Sequence, residues 1–467
     1  MDHFLLIDWG LYAMMVLALL FCFFGIDDSF IDFWSIFKKL GPTLIKDSDW
    51  YWISSLSEKR ILILVANWQE ENVLEAMIQG NISGIDYHNY QFLLGVYPND
   101  FKTKEIAERL AQQFSQVQVI VNPQDGPTSK GQMLNAVLDS IFKSSEPYDA
   151  IVIHDAEDVI HSDALKLINW QLDKFDFIQI PVFSLIRSWW QLVGGTYMDE
   201  FAESHTKDML VRSSLKAAIP SAGVGTALSR KLVTEYLKKE TLFSPHNLTE
   251  DYYLGIQSHL RGFPATFACF QKDDPHNFIA TREYFPNKVR QSVRQKSRWT
   301  LGIALQSLQQ LGWQGSVANL YFLYRDRKSP LSNFVLLLGM GTFIVGVFLY
   351  LLTPGFLVQT QDHFLSEHLV TYEIFVGLSM ACFAFMTLRW VQRFRAAYRV
   401  YGLRHSWVSP IRLLVGNYIA VLSSTSAMGQ FIKNRIKGTV PLWQKTLHEI
   451  PNEFGRVSEK KEPISSR

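Results

Sequence analysis

Cysteine is scarce in this chain. Only Cys22, Cys269 and Cys382 occur in 467 residues, and two of them lie in strongly apolar runs. That count excludes a disulfide framework and any zinc-type Cys spacing. A reducing compartment is the simpler setting. Net charge is nearly absent, at +1, so no overall basic field invites a nucleic acid, and no nucleic-acid partner is expected. The GxxxxGK[ST] spacing is missing, which excludes a P-loop nucleotide hydrolase. Basic residues are also missing ahead of the first apolar run, residues 9–26, where Asp2 and Asp8 stand instead. No small-residue cleavage site follows it, only Asp27 and Asp28. A signal peptide needs both features, so this run reads as a retained anchor just long enough to span a bilayer.

Apolar and aromatic residues are plentiful. Hydrophobic residues make up 48% and aromatics 14%, which rules out disorder and suits a membrane boundary or a sugar-facing surface. An uncharged run at 331–352 and an apolar run at 369–390, with Glu373 near its start and Arg389 near its end, have the length of membrane spans. Arg325, Arg327 and Lys328 precede the second run. Arg389, Arg393, Arg395, Arg399 and Arg404 close or follow the third, and the loop 353–368 between them has no Lys or Arg. The positive-inside rule then puts the N-terminus and that loop outside, and residues 27–330 inside. Residues 410–432 are ambiguous. Their small and polar stripe, with basic residues at both ends, predicts an interfacial or re-entrant helix, with a fourth span as the alternative.

Between the anchors the pattern alternates. Residues 27–40 predict an amphipathic helix, lying on the membrane surface or packed against the next domain. Residues 61–65, 91–96, 117–121 and 150–153 read as short buried strands, with helices between them, and 177–182 as a fifth strand. Such alternation predicts a parallel α/β sheet with polar residues at its carboxyl edge, where ligands of open sheets bind. Glu70, Asp100 and the loop 126–131 with Lys130 fall at that edge. So does His154-Asp155-Ala156-Glu157-Asp158, whose carboxylates repel unless a cation separates them. A hard divalent ion carrying a phosphorylated substrate would supply that cation. Gly194-Gly195 and Gly223-Val224-Gly225 predict loops of close backbone approach. Thr249-Glu250-Asp251 reads as an N-cap and first helical turn. Arg290–Trp299 reads as a basic helix at the membrane surface, with room for a second role at the mouth of a site.

Four elements thus follow in order: a strand with a Glu-rich loop, an acidic metal-type motif, Thr249-Glu250-Asp251, and Gln295-x-x-Arg298-Trp299 beside a span. This order resembles the family 2 inverting glycosyltransferases of the membrane synthase type, such as cellulose and hyaluronan synthases. A closer likeness covers nearly the whole chain. Gly126-Pro127-Thr128-Ser129-Lys130, the acidic motif, Pro181–Leu185, Gly195–Phe201, Pro220–Thr226, Val293–Trp299 and Trp443-x-Lys445-Thr446-x-His448 are similar to the bacteriophage adsorption protein B family.

The resemblance implies an α/β, GT-A-like domain at 60–300 on the cytoplasmic face of a bacterial inner membrane. An anchor at 1–26 and a juxtamembrane segment at 27–59 come before it. Interfacial helices at 301–330, two spans at 331–390, a basic segment at 391–440 and a tail at 441–467 come after it. It further implies transfer of a hexose or N-acetylhexosamine from a nucleoside-diphospho-sugar, most simply a UDP-sugar, to a glycan acceptor with Mg²⁺ or Mn²⁺. The metal would sit on Asp155 with Glu157 or Asp158. Glu70, Asp100, Lys130 and Asp155 would face the donor, Asp251 would be the base with Glu250 orienting it, and Gln295, Arg298 and Trp299 would meet the acceptor. An outer-membrane partner is implied too, and a phage-receptor scaffold with little activity is the alternative. Relatives often carry a C-terminal cyclic-dinucleotide-binding domain. The polar tail here predicts that such control is absent or supplied in trans.

Overall fold

The computed structural model describes residues 3–438 apart from 145, 146, 246 and 354, together with 449 and 451. The Trp443–His448 motif lies outside the described residues. Twelve strands are found among them: β1 (Thr43–Ile45), β2 (Ile61–Ala66), β3 (Tyr90–Val96), β4 (Val117–Val121), β5 (Ala150–His154), β6 (Val159–Ile160), β7 (Phe177–Gln179), β8 (Val182–Ser184), β9 (Thr226–Ser229), β10 (Ala265–Phe267), β11 (Phe270–Lys272) and β12 (Thr281–Glu283). The helices that matter here are α1 (His3–Phe37), α2 (Leu74–Gly84), α3 (Phe101–Gln113), α4 (Lys130–Ser144), α5 (Leu192–Glu203), α6 (Glu250–Leu260), α7 (Val289–Trp299), α8 (Ser329–Leu352), α9 (Phe356–Glu367), α10 (Leu369–Tyr401) and α11 (Ser409–Lys437).

The main sheet runs β10-β7-β9-β5-β2-β3-β4. β2 to β5 pair in parallel, as their largely apolar sequences favour when both faces are covered. Ile61 to Val65 are fully buried. Two expectations need correction. The sheet is mixed, because β9 enters antiparallel between β5 and β7. The single strand expected at 177–182 is two strands, β7 and β8, in different sheets. It breaks at Pro181, which has no N–H to continue a ladder. β8 pairs with β12, which also takes β6.

Among the described residues, three helices are long and apolar enough to cross a membrane, within Asp8–Phe37, Ser329–Leu352 and Leu369–Tyr401. The juxtamembrane helix is not a separate element: anchor and amphipathic segment form one helix of 35 residues. No Pro interrupts the junction at Ile26-Asp27, the missing Cβ of Gly25 makes room for Phe385, and Ile31 packs against Val211, Ala217 and Phe322. The acids at that junction hold the helices together. Asp27 accepts from Arg325 at 2.8 Å and also pairs with Lys328, while Asp28 pairs with Lys328 at 2.8 Å and Arg389 at 2.6 Å. α10 runs past residue 390, and its last turns bury Ala396, Val400 and Tyr401 in the core of the α/β domain. The Tyr401 hydroxyl donates to the Ser184 carbonyl at 2.9 Å.

Gly194 and Gly195 lie inside α5, not in a loop, and the missing Cβ of Gly195 makes room for Arg412 of α11. Arg412 makes a bidentate pair with Asp199 (2.8 and 2.9 Å), and both side chains are 1% exposed. α11 packs this face on α5, α7 and α8, and turns Ile411, Leu414, Tyr418, Ile432 and Ile436 outward along one stripe.

Removing one member of a buried pair strands the other charge, at about 3–5 kcal/mol. Arg412→Met is therefore expected to lower the thermal unfolding midpoint of the detergent-purified protein. Arg412→Met/Asp199→Asn is expected to recover much of the loss. A double variant as unstable as the single one would contradict this account.

Candidate active site

The cleft lies at the carboxyl edge of the main sheet, between the ends of β2, β3 and β5 and the first turn of α6. One wall is aromatic. Trp68, just past β2, meets Tyr97, just past β3, edge to face at 5.2 Å, and the Tyr97 hydroxyl is 2.6 Å from that of Thr128. The floor is acidic. Asp155 and Glu157 follow β5, Glu70 follows β2, Glu250 and Asp251 open α6, and Glu283 ends β12. Lys130, at the start of α4, and Arg298 are the cations of this lining.

Lys130 sits among the acids. Its Nζ is 2.5 Å from Asp155 Oδ1 and donates to the Gly223 carbonyl at 3.1 Å. Burial works against its charge, but Asp155, Glu250 and Asp251 outweigh it and hold the ammonium above its ordinary pKa. Burial, then the neighbouring Asp251, push Glu250 up to about 7. Burial also raises Asp251, while the Tyr252 N–H, Lys130 and Arg298 pull it back. Asp251 Oδ1 accepts that N–H at 2.8 Å. Its other oxygen lies where a Cβ on residue 223 would come within 2.6 Å, and Gly223 has φ +82°. Sterics and backbone both demand glycine there.

The third side is α7. Gln295, Arg298 and Trp299 line the cleft. Trp299 is fixed edge-on against Tyr197 and Phe201, at 6.1 and 6.2 Å. Gln295 Oε1 and Arg298 Nε are buried without a hydrogen-bond partner among the described residues. Orphaned polar atoms at a cleft are what a polar ligand would satisfy. A π-helical stretch, Thr300–Gln306, continues α7, and Gln306 Oε1 accepts the Leu248 N–H at 3.0 Å, tying α7 to the turn before Glu250.

Nine residues singled out from sequence thus share this cleft: Glu70, Lys130, Asp155, Glu157, Glu250, Asp251, Gln295, Arg298 and Trp299. Two do not. Asp100 turns back to cap α3, accepting from the Thr103 and Gln69 N–H groups at 3.5 and 2.5 Å. Asp158 is fully buried behind the motif, where Oδ2 lies 2.7 Å from His154 Nδ1 and accepts the Asp155 N–H at 3.0 Å. It shapes the turn that presents Asp155 and Glu157. Thr249 holds the N-cap position, but its side chain makes no cap bond.

Asp155 and Glu157 are hard oxygen donors one residue apart on the same wall, the donor chemistry of Mg²⁺ and Mn²⁺. The residues therefore fit a divalent ion. Trp68, Tyr97, Glu283 and Phe285 also line the cleft and were missed from sequence. Trp68 and Tyr97 sit beside strand ends and were open to notice. Glu283 and Phe285 depend on the pairing of three-residue β12, which no local pattern announces.

The comparisons with known proteins agree with this geometry. Residues 59–302 match the family described as "Glycosyltransferase like family 2". The chain is 35% identical, over 96% of its length, to bacteriophage adsorption protein B of Escherichia coli K12 and to bacteriophage N4 adsorption protein B of E. coli O157:H7. It spans about 63% of those relatives' length. Among solved structures, the mannosyltransferase PcManGT of Pyrobaculum calidifontis, in complex with GDP-Man and Mn²⁺, superposes with a TM-score of 0.54 at 14% identity. The match covers 79% of this chain and 98% of that one, a likeness of fold, the GT-A-like α/β fold. Family model and relatives together place the chain among the family 2 glycosyltransferases.

Proposed function

We propose that this protein transfers a sugar from a nucleoside-diphospho-sugar to a glycan acceptor, by a single inverting displacement on the cytoplasmic face of a bacterial inner membrane. The observation that carries the reading is the meeting of Asp251, the Asp155/Glu157 pair and the Gln295-Arg298-Trp299 face in one cleft. A UDP-sugar is the simplest donor, and a hexosyl or N-acetylhexosaminyl group the transferred unit. PcManGT, named with GDP-Man and Mn²⁺, supports the donor class and the metal.

In this reading the Trp68/Tyr97 wall holds the base of the donor. Asp155 and Glu157 would hold Mg²⁺ or Mn²⁺, which when bound neutralises the diphosphate. Lys130 adds a point charge beside it and orients Asp155. Asp251 takes the proton of the acceptor hydroxyl as its oxygen bonds to the anomeric carbon and the bond to the diphosphate breaks. Glu250 positions Asp251 through the shared helical turn. Trp299 offers a flat face to the acceptor ring, and Arg298 and Gln295 turn their unsatisfied atoms toward its hydroxyls or the leaving diphosphate. A role in phage adsorption is a second reading that rests on the names of the two relatives, and the outer-membrane partner that the family resemblance implies would belong to it.

Three outcomes are expected. Asp251→Asn should lower sugar transfer at least about 100-fold, with donor affinity and membrane insertion kept. Turnover near wild type would remove Asp251 from its role. Asp155→Ala should abolish the difference in donor affinity measured with and without a chelator, whereas a chelator effect of unchanged size would place the metal elsewhere. The third concerns pH. A base must be ionised to act, and burial raises both Asp251 and Glu250, so the acid limb of kcat/KM should lie above the ordinary carboxylate range of ~4. Lys130 lowers both groups, so Lys130→Gln should shift that acid limb to higher pH. A limb that stays put would uncouple Lys130 from the base.

A further inference from the structure

A second cavity, of about 690 Å³, opens away from the active cleft. It lies where α1 and α10 leave their apolar stretches and meet the loop after β11, and Lys39, Arg395, Arg399 and His276 stand in its walls. That volume is in the range of ligand sites, roughly 300–1,000 Å³, and is far larger than one inorganic ion needs.

The charges around it are unequally matched. Three neighbouring cations are paired: Arg389 with Asp28, Arg393 with Glu203, and Lys207 with Asp32 and Glu203. Asp32, the acid in the cavity lining, is taken by Lys207. Lys39, Arg395 and Arg399 have no carboxylate partner among the described residues. Two of them are four residues apart on α10, so they project from one face of the helix. Like charges converging on a concave wall repel one another unless an anion joins them. A basic helix end splayed into solvent would need no such hollow.

We propose that this cavity binds a phosphate-bearing anion, and that the headgroup of an anionic phospholipid is its occupant. The position favours the lipid. The cavity stands at the boundary of two candidate spans, where headgroups lie, and arginine matches phosphate with a fork of donors. A headgroup seated there would bridge α1, α10 and the α/β domain. This site takes no part in the proposed transfer reaction and stands independently of it.

The test uses the full chain purified in detergent. Native mass spectrometry would follow retention of phosphatidylglycerol and phosphatidylcholine, and calorimetry would follow inorganic pyrophosphate. Wild type should retain phosphatidylglycerol over phosphatidylcholine, and Arg395→Gln/Arg399→Gln should weaken that retention about tenfold or more. Should the double variant unfold, Lys39→Gln, at an exposed position, reads the same preference. Pyrophosphate binding that depends on these residues, without a lipid preference, would keep the anion site and assign it to a soluble phosphate. Equal retention of both lipids, with pyrophosphate binding unaffected by the substitutions, would overturn the site.

Discussion

The active cleft is governed by an excess of negative charge. Glu70, Asp155, Glu157, Glu250, Asp251 and Glu283 line one small space with, among the described residues, only Lys130 and Arg298 as cations. In a partly dry site such an excess has to be relieved by protons, paired cations or a bound ion. The first two routes are visible, and the donor set suits the third. Glu250 is pushed toward protonation near neutrality, Lys130 is drawn onto Asp155, and the Asp155/Glu157 pair suits a divalent ion. A nucleoside diphosphate adds more negative charge, so in the proposed reaction a bound cation favours donor entry.

Much of this was legible in the residues. Four strands of the main sheet announce themselves as β-branched apolar runs, and their polar ends locate the cleft. Asp155, Glu250 and Arg298 come from three distant segments, and only their order connects them along the chain. What stayed hidden depends on side-chain direction or on pairing at long range. Asp158 is as acidic as Glu157, but one residue further along the turn it faces His154 instead of the cleft. Asp100 sits at a strand end like Glu70, but spends its carboxylate on a helix cap. β9 is unremarkable as a tetrapeptide, and its antiparallel entry is set by tertiary pairing.

The membrane segments are joined to the α/β domain by charge as well as by apolar packing. Asp27 and Asp28 gather cations from the segments flanking α8 and from α10, so three candidate spans share one ionic knot where they approach the domain. α11 adds a second attachment. Its polar face holds α5 and α7 while its apolar stripe turns outward, and α7 carries Gln295, Arg298 and Trp299.

The last turns of α10 carry one consequence beyond the reaction. Ala396, Val400 and Tyr401 belong to the same buried cluster as Leu134, Ile153 and Phe278. The core of the α/β domain therefore extends beyond the limits of 60–300 that the resemblance implies. A fragment cut near residue 300 would expose the seat of α10 as an apolar surface. Synthesis order follows from this: the domain's interior is completed only after the third apolar helix has been made.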